Sequence, residues 1–432
     1  MSGKRAIGLW LLIASLGISA CVGIPIGRSI PGGSMDLQVV YYATKCLLQH
    51  CDPYKPTELR AVYQADAKGL LPPFNYLPPT FLLVAPLTGA PWDVAALLWL
   101  ALLLTSLFFA ALLMVQEGTS NAPVLSLTLA CIVLANIEVG IALANAAVLV
   151  VSLCTIAVYF LLRNKFVFLG QVALASALAL KPHDSFLILV YLFFAARTQR
   201  MHAWKIAGLT FVVGLISVIW TMQVSPHWIK EWQANITTLT AHGSLNDPGP
   251  TAEKSHNAGQ VVDLQAAISL VKDEPAFYDP ASYCICGVML AIWSVAAIRT
   301  RFSANSAWIA IATAVPLTLL ITYHRPYDAK LLLLAIPACA LLHRKGGGIG
   351  RTAVALTTAA IVATADLPLL VWSKVTAGLD VTKMETWERV CMIPIVRPAP
   401  MMLLAMAVFY LWIYVRNAWP VDDVEGATEA AI

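Results

Sequence analysis

The residues best suited to chemistry fall in short polar stretches between long apolar runs. The first stretch, Ser29 to Tyr54, reads S-I-P-G-G-S-M-D-L-Q-V-V-Y-Y-A-T-K-C-L-L-Q-H-C-D-P-Y, and its Asp36 follows a Pro-Gly-Gly turn and opens a short helix. Free backbone N–H groups and the helix dipole would keep a carboxylate there ionised. An ionised carboxylate within reach of a hydroxyl is a general base. The position also suits a plain N-cap, and this stretch alone leaves both readings open. A second stretch is Tyr323-His324-Arg325-Pro326-Tyr327-Asp328, a corner between two apolar runs. The planar donor fork of Arg325 fits a phosphate or a carboxylate; the alternative is an Arg325–Asp328 or Asp328–Lys330 pair that only caps the turn. A third, Lys181-Pro182-His183-Asp184, joins two apolar runs with no room for a solvated loop. Lys181 therefore either snorkels outward or sits in a polar cavity.

Two further regions carry polar groups. The 223–282 loop holds Trp228 and Trp232 one helical turn apart, expected to rest on lipid. It continues through a Gly/Asn/Pro-rich stretch from His242 to Pro250 that reads as a mobile loop or lid. Ser255-His256-Asn257-Ala258-Gly259-Gln260 follows, in which His256, Asn257 and Gln260 are candidates for binding hydroxyls. Asn136, Glu138 and Asn145 interrupt the apolar pair 123–162. Buried amides between helices commonly act as glue; Glu138 is the odd member and could line a cavity.

The elements that must position these groups are membrane helices. Hydrophobic residues make up 59% of the 432 and charged residues 12%, with a mean hydropathy of +0.74. A soluble domain carries roughly 25% charge, so the chain is expected to be an all-α polytopic membrane protein forming one integral-membrane domain over 1–432. Apolar runs of span length occupy 7–24, 92–115, 123–138, 140–162, 166–180, 204–222, 283–298, 306–322, 328–342, 352–372 and 399–415, with a shorter one at 184–196. The first, Ala6 to Ile24 after Lys4-Arg5, is expected to be an uncleaved signal-anchor. Val39, Val40, Ala43, Leu47 and Leu48 recur at helical spacing, which predicts an amphipathic helix lying on the membrane surface.

Topology turns on the proline-interrupted segment 77–91. Left on the surface it gives twelve spans, and Arg163-Asn164-Lys165, Arg197 to Lys205, Arg299-Thr300-Arg301, His343 to Arg351 and Arg416 all fall inside, as positive-inside bias requires. Counted as a span it puts the loops outside. Twelve is the reading taken, with N- and C-termini and the 416–432 tail cytoplasmic. The 25–91 and 223–282 loops and every unusual charge then lie on the extracytoplasmic face. The net charge of +4 is accounted for by these loops and calls for no nucleic acid.

The nine cysteines show no metal pattern; Cys46 and Cys51 would share the oxidising face and could pair, though two free thiols is the favoured reading. No P-loop, Rossmann glycine pattern, zinc motif or Ser/Cys triad is present. Asp36-x-Gln38 is no D-x-D motif, and an outward site has no nucleotide supply, so a donor must already lie on the outer leaflet. No metal or cofactor is expected.

The order of these features resembles the GT-C superfamily of polyprenyl-phosphate-sugar-dependent glycosyltransferases. The likeness is greatest to family 87, which includes actinobacterial α-1,2-mannosyltransferases acting on phosphatidylinositol mannosides. The features are Asp36 followed by Val40-Tyr41-Tyr42-Ala43 and Asp52-Pro53-Tyr54, Tyr76-Leu77-Pro78-Pro79, Asn145 in a hairpin, Lys181-Pro182, His256-Asn257 with Leu264-Gln265, and Tyr323-His324 with Tyr327-Asp328. The family's Gly-Gln-x-Asn hairpin is reduced here to Leu143-Ala144-Asn145. The resemblance implies a GT-C bundle of about twelve spans with extracytoplasmic surface helices in the plasma (inner) membrane. It implies inverting transfer of a hexose, mannose above others, from a polyprenyl-phosphate donor to a lipid or glycan acceptor. Asp36 matches the catalytic base; Arg325, His324 and Lys181 are expected on the donor phosphate. Tyr41, Tyr76, Asn145, His183, His256, Asn257, Gln260, Tyr327 and Asp328 are expected around the substrates.

Two rivals are weighed, the first from a different class. A transporter or flippase of a lipid-linked molecule would show inverted repeats and Gly/Pro-broken spans. An O-antigen-ligase-like transferase would need an arginine pair in the large loop, and 223–282 contains no Arg.

Overall fold

The computed structural model describes residues 3–29, 34–66, 72–244, 246–250, 260–376, 378–379 and 381–418, and among these every regular element is helical. The first half contains α1 (Gly3–Ser29), α2 (Met35–Leu48), α3 (Pro56–Asp66), α4 (Pro79–Thr88), α5 (Trp92–Gly118), α6 (Pro123–Leu134), the short α7 (Glu138–Ala142), α8 (Ala146–Leu162), α9 (Val167–Leu180), α10 (Pro182–Phe194) and α11 (Arg197–Met222). The second half contains α12 (Trp228–Thr240), α13 (Leu264–Ile268), α14 (Pro275–Arg299), α15 (Ala304–Ile321), a 3₁₀ segment (Asp328–Ala335), α16 (Ile336–Lys345), α17 (Gly347–Ala363), α18 (Asp366–Thr376), a 3₁₀ turn (Val381–Lys383), α19 (Thr386–Val396) and α20 (Pro398–Ala418). Proline opens α4, α6, α10 and α14, where its missing N–H costs nothing. Asn145 caps α8 by accepting from Ala147 N–H at 2.7 Å, and Ser303 and Ser306 form a capping box on α15.

Among the described residues six helices are long and apolar enough to cross a membrane: α1 from Ala6, α5, α11, α14, α15 and α20. The pair α17 and α18 makes a seventh if its 72° bend lies within one span. α15 is central, with 83% of its apolar window buried, whereas α1 and α11 bury only 17%. Their outward faces carry Trp10, Ile18, Phe211 and Ile219, a surface stable only against lipid. The chain is therefore a polytopic, all-helical membrane protein. Several of the twelve apolar runs are broken by a kink. The 140–162 run turns at Ala144, whose φ is +49°, and the 328–342 run begins in the 3₁₀ segment. α4, only ten residues long, is too short to span.

One apolar core runs from Leu12 in α1 to Tyr414 in α20. Gly23 and Gly27, one turn apart on α1, let it lie directly on α7. A Cβ would come within 2.6 Å of Glu138 O at Gly23 and within 2.6 Å of Ala142 O at Gly27.

Three expectations are corrected. α2 does not lie on the membrane surface: Leu37 to Thr44 and Cys46 to Leu47 are all buried, and it packs against α3 and α4. Its polar residues are satisfied inside the fold, Gln38 by the Tyr63 hydroxyl at 2.9 Å and Thr44 by Val40 O at 2.7 Å. Trp228 and Trp232 pack on protein rather than lipid. Trp228 meets the Tyr54 ring at 5.8 Å and Trp232 donates to Asn75 O at 2.9 Å. Cys46 and Cys51 are joined in a disulfide, because the turn at His50 (φ +60°) brings their Cα atoms to 5.0 Å.

Candidate active site

The start of α2 meets the end of α7. Asp36 N–H donates to Leu143 O at 3.1 Å, and Asn145 Nδ2–H donates to Asp36 Oδ2 at 2.5 Å. Asn145 is itself fixed as the cap of α8, and Trp99 Nε1–H holds the turn by donating to Ala144 O at 2.9 Å. Three elements thus aim one carboxylate into a cavity of about 1440 Å³. Burial pushes the Asp36 pKa above the usual carboxylate range, opposed by the Asn145 bond and by the charges of Arg325 and Lys181. Burial thus opposes the ionised form that the helix dipole was expected to hold, while the Asn145 bond and the two cations support it.

The opposite wall is cationic. Lys181 lies between α9 and α10; its ammonium bonds Asp328 and stands 3.3 Å from Asp184 Oδ2. Arg325 lines the same cavity. Its guanidinium bonds the Tyr323 hydroxyl, and reaches Gln260 Oε1 at 3.3 Å and Asn246 Oδ1 at 3.5 Å. Its backbone N–H donates to Asp328 Oδ2 at 2.7 Å, so Asp328 ties the two cation-bearing segments together. α12 borders the cavity through Trp232, Ile236, Leu239 and Thr240, and its Asn235 Nδ2–H donates to Tyr54 O and Phe74 O, both at 2.9 Å.

Asp36, Asn145, Tyr76, Lys181, His183, Gln260, Arg325 and Tyr327 all line this one cavity. Three other expected residues stand behind its wall. His324 is fully buried, its Nε2 2.8 Å from Asp184 Oδ1 and its Nδ1 2.7 Å from Thr322 O. Both neighbours are acceptors, which favours the charged ring. Burial opposes that charge, but Asp184 and Asp328 outweigh it and the pKa is raised. Lys181, His324, Asp184 and Asp328 thus form one buried cluster of mutually paired groups. Asp328 is buried in it, and Tyr41 points away, its hydroxyl donating to Ala90 O at 2.9 Å. These three position the wall and do not form it. His256 and Asn257 lie outside the described residues.

The wall also includes Asn246 and Asp366, which sequence reasoning passed over, and Tyr323, named there only as part of the corner. Asp366 carried a readable signal, a carboxylate inside the apolar run 352–372. Asn246 carried none, lying in a stretch expected to be mobile. That stretch is instead pinned by Asp247, which accepts from Gly243 N–H at 2.5 Å and Gly249 N–H at 2.9 Å.

Two groups bring three metal-ligating atoms within 4.8 Å: His183, Asp184 and His324, and His242, Asp247 and Asp273. In the first, the Lys181 ammonium already supplies the positive charge beside Asp184. In the second, both Asp247 oxygens are taken by backbone N–H groups.

No protein-family model, curated protein or solved structure matches the chain.

Proposed function

We propose that the chain is an inverting glycosyltransferase of GT-C type, similar to family 87. It would move a hexose, with mannose the expected sugar, from a polyprenyl-phosphate donor to a lipid or glycan acceptor. The observation that carries this reading is the cavity. It brings a buried carboxylate, its pKa raised by burial, into one cavity with Lys181 and Arg325, among walls otherwise largely apolar. A general base works best when its pKa lies near the operating pH. Cations opposite it suit a leaving group on which negative charge grows, and apolar walls suit a lipid chain.

In this mechanism Asp36 takes the proton of the acceptor hydroxyl while the oxygen attacks the anomeric carbon. The carbon–oxygen bond to the lipid phosphate breaks on the opposite face. The electron pair leaves with the phosphate oxygen, whose charge Arg325 and Lys181 meet. A β-linked donor gives an α-glycoside and polyprenyl phosphate, and Asp36 releases its proton to water. Tyr76 and Tyr327 supply walls for the substrates, and Asn145 fixes the base.

The topology belongs to the same proposal: about twelve spans, the six long helices joined by the shorter apolar ones, with both termini cytoplasmic and the cavity facing outward from the plasma membrane. The Cys46–Cys51 disulfide beside α2 favours an oxidising side for that face. Mass spectrometry of lipid-linked glycans from cells with and without the protein tests the function. A missing hexosylated lipid in its absence supports it, and identical glycan profiles refute it.

One observation favours a flippase instead. The 72° break between α17 and α18 sets polar backbone beside the cavity, as broken helices do in transporters. Cysteine labelling from each side discriminates the two: labelling of cavity positions from the outside alone fits the transferase, and labelling from both sides fits transport.

A further inference from the structure

Away from Asp36, the cavity carries a second acidic pair. Glu138 opens α7, Asp366 opens α18, and both side chains line the cavity. They are 2% and 6% exposed, and no donor meets either Glu138 oxygen or Asp366 Oδ1 at hydrogen-bond geometry. The Ser19 hydroxyl accepts from Ile137 N–H at 3.2 Å and turns its own proton toward Glu138. Asp366 Oδ2 accepts from Val139 N–H at 2.8 Å. Lys330 stands 4.0 Å from Asp366 Oδ1 and donates to Thr364 O at 3.1 Å. One ammonium therefore faces two carboxylates, and the Ser19 hydroxyl alone cannot satisfy the remaining acceptor oxygens of the pair. Buried acceptors of this kind are costly unless something supplies donors.

The nature of the missing donor follows from charge. A phosphate or carboxylate would be repelled. A metal cation would compete with the Lys330 ammonium. A neutral group bearing several hydroxyls supplies O–H donors without adding charge. Glu138 and the base line the same cavity, and Glu138 opens the hairpin whose far end, Asn145, holds Asp36. One hydroxylated substrate in that cavity can reach both.

We propose that Glu138 and Asp366 form the subsite for the uncharged, polyhydroxylated part of the acceptor, and that they reject acceptors with an anionic group next to the reacting hydroxyl. This rests on the transferase reading, whose donor side is tested separately. The experiment uses full-length protein in nanodiscs and three probes: octyl α-mannoside, its 6-phosphate, and polyprenyl phosphate. The wild type should bind the neutral mannoside at least about tenfold more tightly than the 6-phosphate. Glu138→Gln and Asp366→Asn should each weaken the neutral mannoside by about tenfold, with polyprenyl-phosphate binding unchanged as the check on folding. An equal or greater wild-type affinity for the 6-phosphate overturns the proposal, as does undiminished mannoside binding by Glu138→Gln. Failure of the wild type to bind polyprenyl phosphate would sink the transferase reading instead, a different result in the same samples.

Discussion

Replacing Asn145 with Ser separates two jobs that one amide performs. As the α8 cap, Asn145 Oδ1 accepts from Ala147 N–H; as a donor, Nδ2 holds Asp36 Oδ2 at 2.5 Å. Serine caps a helix nearly as well as asparagine, so stability should change by no more than about 0.5 kcal/mol. Its hydroxyl is too short to cap and to reach Asp36 at once, so the donor is lost. A hydrogen bond to a charged group contributes about 1.5–3 kcal/mol, and about 1.4 kcal/mol corresponds to one pKa unit. That bond favours the ionised carboxylate and lowers the Asp36 pKa, so removing it should raise the pKa further, by about one to two units. A base must be deprotonated to act, and the rate falls as pH drops through its pKa. The acid limb of kcat/KM for sugar transfer should therefore move to higher pH by about one to two units, with thermal unfolding almost unchanged. Asn145→Ala should move the limb equally and also cost about 1 kcal/mol of stability. A limb that stays in place in both variants would refute the reasoning, leaving Asn145 as a cap and nothing more.

Three other outcomes follow. Gly23→Ala should lower both the melting temperature and transfer, because its Cβ would fall 2.6 Å from Glu138 O on the hairpin that carries Asn145; crowding of this kind costs about 1–3 kcal/mol. Gly17→Ala, which meets nothing within 4 Å, should be neutral or stabilising. Asp263, the cap of α13, is pushed by burial from 3.8 up to about 6. The folded state thus holds its proton more tightly, adding about 3 kcal/mol of stability below pH 4 that is lost as pH rises to about 6. Asp263→Asn keeps the cap and should flatten this part of the melting-temperature profile between pH 4 and 6. Arg325→Lys keeps the charge but loses the fork, and should weaken polyprenyl-phosphate binding by about tenfold in a direct titration.

What the sequence made legible follows from which constraints are local. A span needs about 20 apolar residues, so the apolar runs reappear mainly as helix, several of them broken within the run, and the corners at Lys181 and at Tyr323 to Tyr327 fall at breaks between helices. Asp36, Lys181 and Arg325 were readable because charge beside apolar runs is costly without a purpose. The pairings were not readable, since partners lie far apart in the chain: Lys181 finds Asp328 147 residues on, and His324 finds Asp184. Nothing near His324 marks it as a partner of Asp184 behind the wall rather than a ligand. Periodicity misplaced α2 because its polar residues are answered internally, Gln38 by Tyr63, and so look like a solvent face. The run 352–372 hid a break at Thr364 and Ala365, since hydropathy averages through a bend.

The claim on which everything else depends is that Asp36 removes a proton from an acceptor hydroxyl inside the cavity. The most direct measurement is transfer of labelled mannose from polyprenyl-phosphate-mannose in proteoliposomes, comparing wild type with Asp36→Asn at matched polyprenyl-phosphate binding. The account predicts that the variant binds the lipid phosphate as the wild type does and transfers at least about a hundredfold more slowly. Wild-type transfer by Asp36→Asn would contradict it.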